Sequence, residues 1–255
     1  MLSFQNLILL SLIQGITEFL PVSSSSHLII ATEFLNFENR KLEIDVSLHI
    51  GSFLAVIVFF RKDIFNFIIN KDLFLKIFIG SLPVIIVGFF LVKLNLIDQI
   101  RNIKVIGWTT LIFGVLLYVS DRSVNKKKLS SDFTFKSVIL IGFLQILSLI
   151  PGVSRSGISI SGARFLKFNR YDSAKIAFLL SIPTLAAVSI YGLSNLIKSE
   201  SLNFSFLLIF SVIISFLFSL LAIKYFLKYV RSFSLNIFVI YRIILGLCLL
   251  AVAYL

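Results

Sequence analysis

The sequence predicts an all-α integral membrane protein, with six transmembrane helices and two re-entrant helix–loop–helix hairpins forming an inverted-topology repeat. Three observations lead there. Hydrophobic residues make up 58% of the 255 positions and charged residues only 14%, whereas a soluble domain is nearer half apolar and a quarter charged. A soluble fold would need a larger core than a chain of this length can enclose. Two similar polar islands, QGITEFLPVSSSSH (Gln14 to His27) and QILSLIPGVSRSGIS (Gln145 to Ser159), interrupt otherwise apolar runs. The third observation is where lysine and arginine fall between those runs.

In chain order the apolar segments are 7–35, 45–60, 74–92, 105–120, 137–163, 174–197, 204–227 and 235–255. A helix needs roughly 20 apolar residues to span. Six segments read as simple spans, the short 45–60 extending towards Asp45 or Arg61. The other two, 7–35 and 137–163, contain the polar islands. Non-helical backbone at membrane depth is tolerated only inside protein or beside a water-filled cavity. Each interrupted segment therefore reads as a hairpin entering and leaving on one side. The apolar start carries Glu18 and lacks a basic leader, so no cleavable signal is expected.

Loop charges test this topology. Arg61, Lys62 and Lys71; Arg122, Lys126, Lys127, Lys128 and Lys136; Arg164, Lys167, Arg170 and Lys175; and Lys224, Lys228 and Arg231 form four basic groups. Cytoplasmic loops carry such excess. With both interrupted segments as hairpins, all four groups fall on one side and both termini on the other. As full spans they would put 121–136 and 164–175 on opposite sides. One membrane domain, 1–255, then divides into halves 1–120 and 130–255. Each half is one hairpin plus three spans, an odd number, so the halves are inverted and the hairpins meet near the midplane. The formal net charge of +12 is accounted for by loop orientation and anionic head groups. Nucleic acid is not an expected partner, because no soluble basic module exists to bind it.

The islands carry the chemistry. Gln14 and Glu18 lie four apart and share a helix face. Pro21 begins a turn, and Ser23, Ser24, Ser25 and Ser26 offer hydroxyls and backbone N–H groups suited to an anion at a helix N-terminus. His27 exchanges a proton near neutral pH. In the second island Pro151 and Gly152 make the turn, and Ser154-Arg155-Ser156-Gly157 forms its tip. Arg155 presents a planar fork matched to two phosphate oxygens. Together these groups suit hydrolysis of a phosphate ester or anhydride.

Other polar residues have plainer readings. Single serines in membrane helices commonly pack or bond to backbone. Glu18 and Arg155 could pair with each other, which would still join the hairpins. His49 reads as structural or interfacial, and Trp108, Tyr118, Tyr191 and Tyr254 as interfacial belt residues. Arg242 in the last span snorkels or pairs internally. Cys248, the single cysteine, reads as packing.

The two islands, with LHIGSFLAV (48–56), ISGARFL, FLLSIP (178–183) and FVIYRIILG (238–246), resemble the bacitracin-resistance family of undecaprenyl-diphosphate phosphatases over nearly the whole chain. The resemblance implies hydrolysis of a polyprenyl diphosphate lipid to undecaprenyl phosphate and inorganic phosphate, on the outer side of the bacterial cytoplasmic membrane. A divalent cation, magnesium or calcium, is implied as cofactor, with Glu18 and Gln14 towards it. Glu18 corresponds to the essential acid, Ser24 to the nucleophile and His27 to a proton-transfer or orienting group. Arg155 corresponds to the phosphate clamp, with Ser23, Ser25, Ser154, Ser156, Gly157 and Ser159 in substrate binding. Direct attack by water, with Ser24 only binding, stays open. Gln14 stands where the family often has glutamate, which weakens a paired-carboxylate metal site. Ser26 replaces a common glycine and Ser159 a common threonine. Membrane lipid and a second copy of the chain, as a homodimer, are the other candidate partners. The competing function is an inverted-repeat transporter or lipid flippase.

Overall fold

The structure is a computed structural model that describes residues 4–34, 42–69, 71–96, 100–198 and 206–255. The connections expected at 36–44 and 198–203 lie mostly outside the described residues. The rest is helical: α1 (Phe4–Thr17), α2 (Ser24–Phe34), α3 (Leu42–Phe59), α4 (Arg61–Ile69), α5 (Lys71–Lys93), α6 (Ile103–Asp121), α7 (Leu129–Asp132), α8 (Phe135–Ile146), α9 (Arg155–Phe165), α10 (Arg170–Lys198), α11 (Phe206–Ser232) and α12 (Asn236–Tyr254). A 3-10 turn, Leu147–Leu149, extends α8. Side-chain caps start several helices: Asn102 accepts from Val105 N at 2.9 Å and Thr134 from Ser137 N at 3.2 Å.

Five of the described helices, α5, α6, α10, α11 and α12, are long and apolar enough to cross a membrane. The chain is thus a multi-pass helical membrane protein. The segment expected at 45–60 is α3, whose 18 residues span about 27 Å at 1.5 Å each. The interrupted segments 7–35 and 137–163 are the pairs α1–α2 and α8–α9, both broken at their polar islands. Two details differ from expectation. The basic connection after α3 contains α4, whose residues Asp63 and Lys175 of α10 pair at 2.6 Å. Cys248 is exposed on α12, because the packed face of that helix carries Val239, Arg242, Gly246 and Leu249.

The four basic groups gather at one end of the molecule. Arg164, buried at the end of α9, donates to Asp121 O at 2.9 Å and Ser123 O at 2.5 Å. Arg170 pairs with Asp121 at 2.7 Å, and Asp121 also accepts from Leu235 N at 3.1 Å. Arg231 stacks over Tyr171, and the Asp63–Lys175 pair brings in the fourth group. The backbone closes the same knot, Lys126 N and Lys127 N both donating to Lys167 O. The chain therefore leaves this end near residue 134 and is back there by residue 165. Above the knot lies an aromatic core in which Phe178 meets Phe19 edge-on at 5.3 Å between centroids and Phe226 at 5.8 Å.

Helix crossings use small residues, as is usual where lipid gives no hydrophobic drive. α5 and α8 touch at Gly80 and Gly142, where an added Cβ on Gly142 would overlap the Gly80 carbonyl. α3 and α11 touch through Gly51 against Ser215, with Ser215 Oγ donating to Leu48 O at 2.8 Å. Gly142→Leu is expected to force α8 off α5 and to destabilise the protein by about 1–3 kcal/mol or more. Thermal unfolding and monodispersity in detergent measure this; an unchanged midpoint would refute the crossing.

Candidate active site

Both polar islands end a helix, turn, and start another. In the first, α1 stops at Thr17 and α2 begins at Ser24; in the second, α9 begins at Arg155. The residue just before each new helix, Ser23 and Ser154, has the same positive φ of 73°. Such backbone costs about 1–3 kcal/mol each outside glycine and persists where the surroundings over-determine it. Here hydroxyl bonding supplies that. Ser154 Oγ caps Gly157 N at 3.2 Å and bonds Ser156 Oγ at 3.2 Å. Ser23 Oγ bonds Ser26 Oγ at 3.0 Å and Ser25 Oγ at 3.3 Å. The N-termini of α2 and α9, each favourable to an anion, thus open at the same site.

Glu18 is the hub, 8% exposed. Its Oε1 accepts from Arg155 Nη2 at 2.7 Å. Its Oε2 accepts from Ser24 Oγ at 2.5 Å and from Gln14 Nε2 at 2.9 Å. The helical bond from Glu18 N to Gln14 O at 3.0 Å holds those two on one face, as their spacing predicts. Arg155 is fixed from the other side by Thr184 Oγ1, which accepts from Nη1 at 2.6 Å. Ser156 Oγ donates to Leu20 O at 2.7 Å, a second tie between the hairpins. Thr184 lies 14 residues into the 29-residue α10, roughly 21 Å along the helix from its basic end.

A cavity of about 420 Å³ opens over these groups. One end is polar: Glu18, Ser23, Ser24, Ser25, His49, Ser154, Arg155 and Thr184. The remaining wall is mostly apolar, with Val84, Ile85 and Phe89 of α5 and Leu185 and Val188 of α10, and Arg101, Ser148 and Tyr191 also line it. An anionic head group and a hydrocarbon tail can both be accommodated.

The other expected site residues lie off this wall. Ser156 and Gly157 support the turn, and Ser159 is buried with no hydrogen-bond partner. Gln14 lies fully buried beneath Glu18. His27 points away from the cavity: one ring nitrogen, Nδ1, bonds Ser23 O at 2.7 Å and the other meets Tyr241 OH at 2.5 Å. Since Nδ1 faces a carbonyl it carries the proton, and Nε2 accepts from the phenol. The histidine that lines the cavity is His49, whose Nδ1 is 3.2 Å from Gln14 Nε2. As a lone histidine beside Gly51 near a helix start, it reads from sequence as structural or interfacial. Thr184 and Tyr241 were also missed; both are brought in from distant helices.

Among the described residues, no group of three or more His, Cys, Asp or Glu could hold a metal. The oxygens present fit a hard cation only in part: Glu18, and Gln14 Oε1, which is buried without a partner. That set suits a cation held chiefly by phosphate oxygens, as magnesium commonly is.

A family model described as bacitracin resistance protein BacA matches residues 7–248. The undecaprenyl-diphosphatase of Pelagibacter ubique (strain HTCC1062) is 47% identical over 249 residues, covering 97% of each chain. That of Jannaschia sp. (strain CCS1) is 39% identical over 99% of this chain and 100% of its own. That of Ruegeria sp. (strain TM1040) is 38% identical over 97% and 98%.

The burial pattern has a direct check. With Cys248 replaced by Ala, a cysteine at the exposed, cavity-lining Ser25 should react readily with a small charged thiol reagent in detergent. One at the buried Ser159 should stay unmodified under the same conditions, and equal reactivity would show the cavity to be misdrawn.

Proposed function

The chain belongs to the bacitracin resistance protein BacA family, and we propose that it is a membrane phosphatase hydrolysing undecaprenyl diphosphate to undecaprenyl phosphate and inorganic phosphate. This would return the lipid carrier to cell-wall synthesis and confer bacitracin resistance. The observation that carries the reading is a serine hydroxyl 2.5 Å from a buried carboxylate, which an arginine also contacts at 2.7 Å, at the polar end of a mostly apolar-walled cavity.

The diphosphate enters between the N-termini of α2 and α9 with its tail along α5 and α10. Its oxygens draw Arg155 from Glu18, which frees that carboxylate to act as the base. Ser24 Oγ attacks the terminal phosphorus while Glu18 Oε2 takes its proton. A bond from serine oxygen to phosphorus forms as the bridging P–O bond breaks, and undecaprenyl phosphate leaves. Water then attacks the phosphoserine, giving phosphate and restoring the serine hydroxyl. Arg155 and the helix N-termini stabilise charge on the transferring oxygens. A divalent cation, held by Glu18 and Gln14 Oε1 with the diphosphate, would neutralise phosphate charge. Direct attack by water is the competing route, in which Ser24 only binds.

The six-span topology with two re-entrant hairpins belongs to the same proposal, α3 being the sixth span. An inverted repeat of residues 1–120 and 130–255 is supported by reciprocal packing: α1 on α11 mirrors α8 on α5, and α3 on α11 mirrors α10 on α5. The matched φ at Ser23 and Ser154 supports it too. The collected basic groups support a cytoplasmic lower end, and hence a cavity opening to the outer side. A transporter or flippase of this architecture would release no phosphate in detergent, which is the discriminating assay.

Purified protein in detergent should therefore release phosphate from undecaprenyl diphosphate. Ser24→Ala should lower kcat by about 10³-fold or more and abolish trapping of labelled phosphate; full activity would remove the nucleophile role. Arg155→Lys should cost about 10²–10³-fold, because one ammonium cannot replace the fork. Gln14→Glu should lower the cation concentration for half-maximal activity, and an unchanged requirement would refute a cation seat at Gln14 and Glu18.

A further inference from the structure

Arg242 lies about a third of the way along α12 and is completely buried, yet among the described residues no carboxylate pairs with it. It donates instead to four backbone carbonyls. Nε reaches Thr110 O at 3.2 Å. Nη1 reaches Pro21 O and Val153 O, both at 3.1 Å, and Nη2 reaches Gly152 O at 2.8 Å. Three of the four belong to the hairpin turns, and Nη1 alone bridges one turn to the other.

A buried cation facing only neutral carbonyls is expensive, and a packed apolar residue would ordinarily serve stability better. The space around it is nonetheless kept open by glycines. A Cβ on Gly157 would come within 3.1 Å of Nη1, and one on Gly114 within 3.0 Å of Arg242 Cβ. What a guanidinium offers that an ammonium does not is several donors in fixed directions. The carbonyls it holds come just before Ser23–Ser24 in one hairpin and Ser154–Arg155 in the other. Arg242 is not part of the cavity wall.

We propose that Arg242 is a positioning residue: pinning both hairpin turns to one guanidinium sets the separation between Ser24 and Arg155. This rests on the phosphatase reading. Nucleophile and clamp come from different hairpins, so their spacing depends on cross-hairpin ties, and shifts near 1 Å can cost about 10²-fold in rate. The effect belongs on turnover rather than on substrate affinity, since Arg242 does not touch the cavity. Ser156 Oγ on Leu20 O is the parallel tie, so the two act on one distance.

The test compares wild type, Arg242→Lys, Arg242→Met, Ser156→Ala and the Arg242→Lys/Ser156→Ala double variant in detergent. Phosphate release from undecaprenyl diphosphate is measured across substrate concentration, beside thermal unfolding. Arg242→Lys is expected to fold, to lose about 10–100-fold in kcat and to keep KM within about threefold. The double variant is expected to lose less than the product of the single losses, because each releases the same spacing. The proposal is overturned by a kcat within about twofold of wild type in both Arg242 variants, by a loss confined to KM, or by losses that multiply. Failure of both Arg242 variants to give folded protein overturns it in favour of a folding role. An inactive wild type would sink the phosphatase reading and this proposal with it, a result distinct from equal activity throughout.

Discussion

The ion pair between Glu18 and Arg155 is what the rest of the molecule depends on. Each ion alone in this apolar interior would be stranded at a cost of several kcal/mol. Together, with Ser24, Gln14 and Thr184 filling the remaining valences, they are tolerated. The partners are 137 residues apart in sequence and lie on separate hairpins. The pair therefore exists only when both hairpins are seated, which makes assembly of the fold and assembly of the site one event. The same pair holds the carboxylate beside Ser24 at the cavity's polar end.

Packing two helix–turn–helix units against the long helices demands close backbone approach and bonding of the turns. Small residues meet the first demand: Gly15 lies against Ser215 and Phe218, and Gly142 against Gly80. Bonding of the turns comes from side chains that cross between elements. Ser156 serves Leu20 O, Thr109 serves Pro151 O at 2.5 Å, and Arg242 serves both turns. In water these carbonyls would be solvated, whereas buried among helices each finds a protein donor. The broken helices thus carry the functional groups and also create the need for the polar residues that surround them.

Much of this was legible in the chain. Apolar run lengths and composition identify a multi-pass helical protein, since both report directly on the solvent. The spacing of Gln14 and Glu18, the proline turns and the serine clusters locate the hairpin tips, because those are local backbone preferences. The basic groups anticipated that residues 121–136 and 164–175 share one end, and the Asp121–Arg164–Arg170 knot joins them there. Glu18, Ser24 and Arg155 stood out as polar groups where polarity is costly, and they do meet.

Local pattern could not say which way a side chain faces once helices cross. His27 closes the serine run, yet its ring bonds Ser23 O and Tyr241 of α12 rather than lining the cavity. His49 looked structural or interfacial as a lone histidine near a helix start, but α1 brings Gln14 to it. Arg242 showed only that a charge lay within a span; the turns it grips are 221 and 90 residues away. The sequence by itself determined the membrane class, the two interrupted segments and the polar groups gathered in them, because burial cost and local propensity act residue by residue. The tertiary structure alone decided which histidine reaches the cavity and what joins the two hairpins. Those depend on helix rotation and crossing, which are set by packing between residues far apart in the chain.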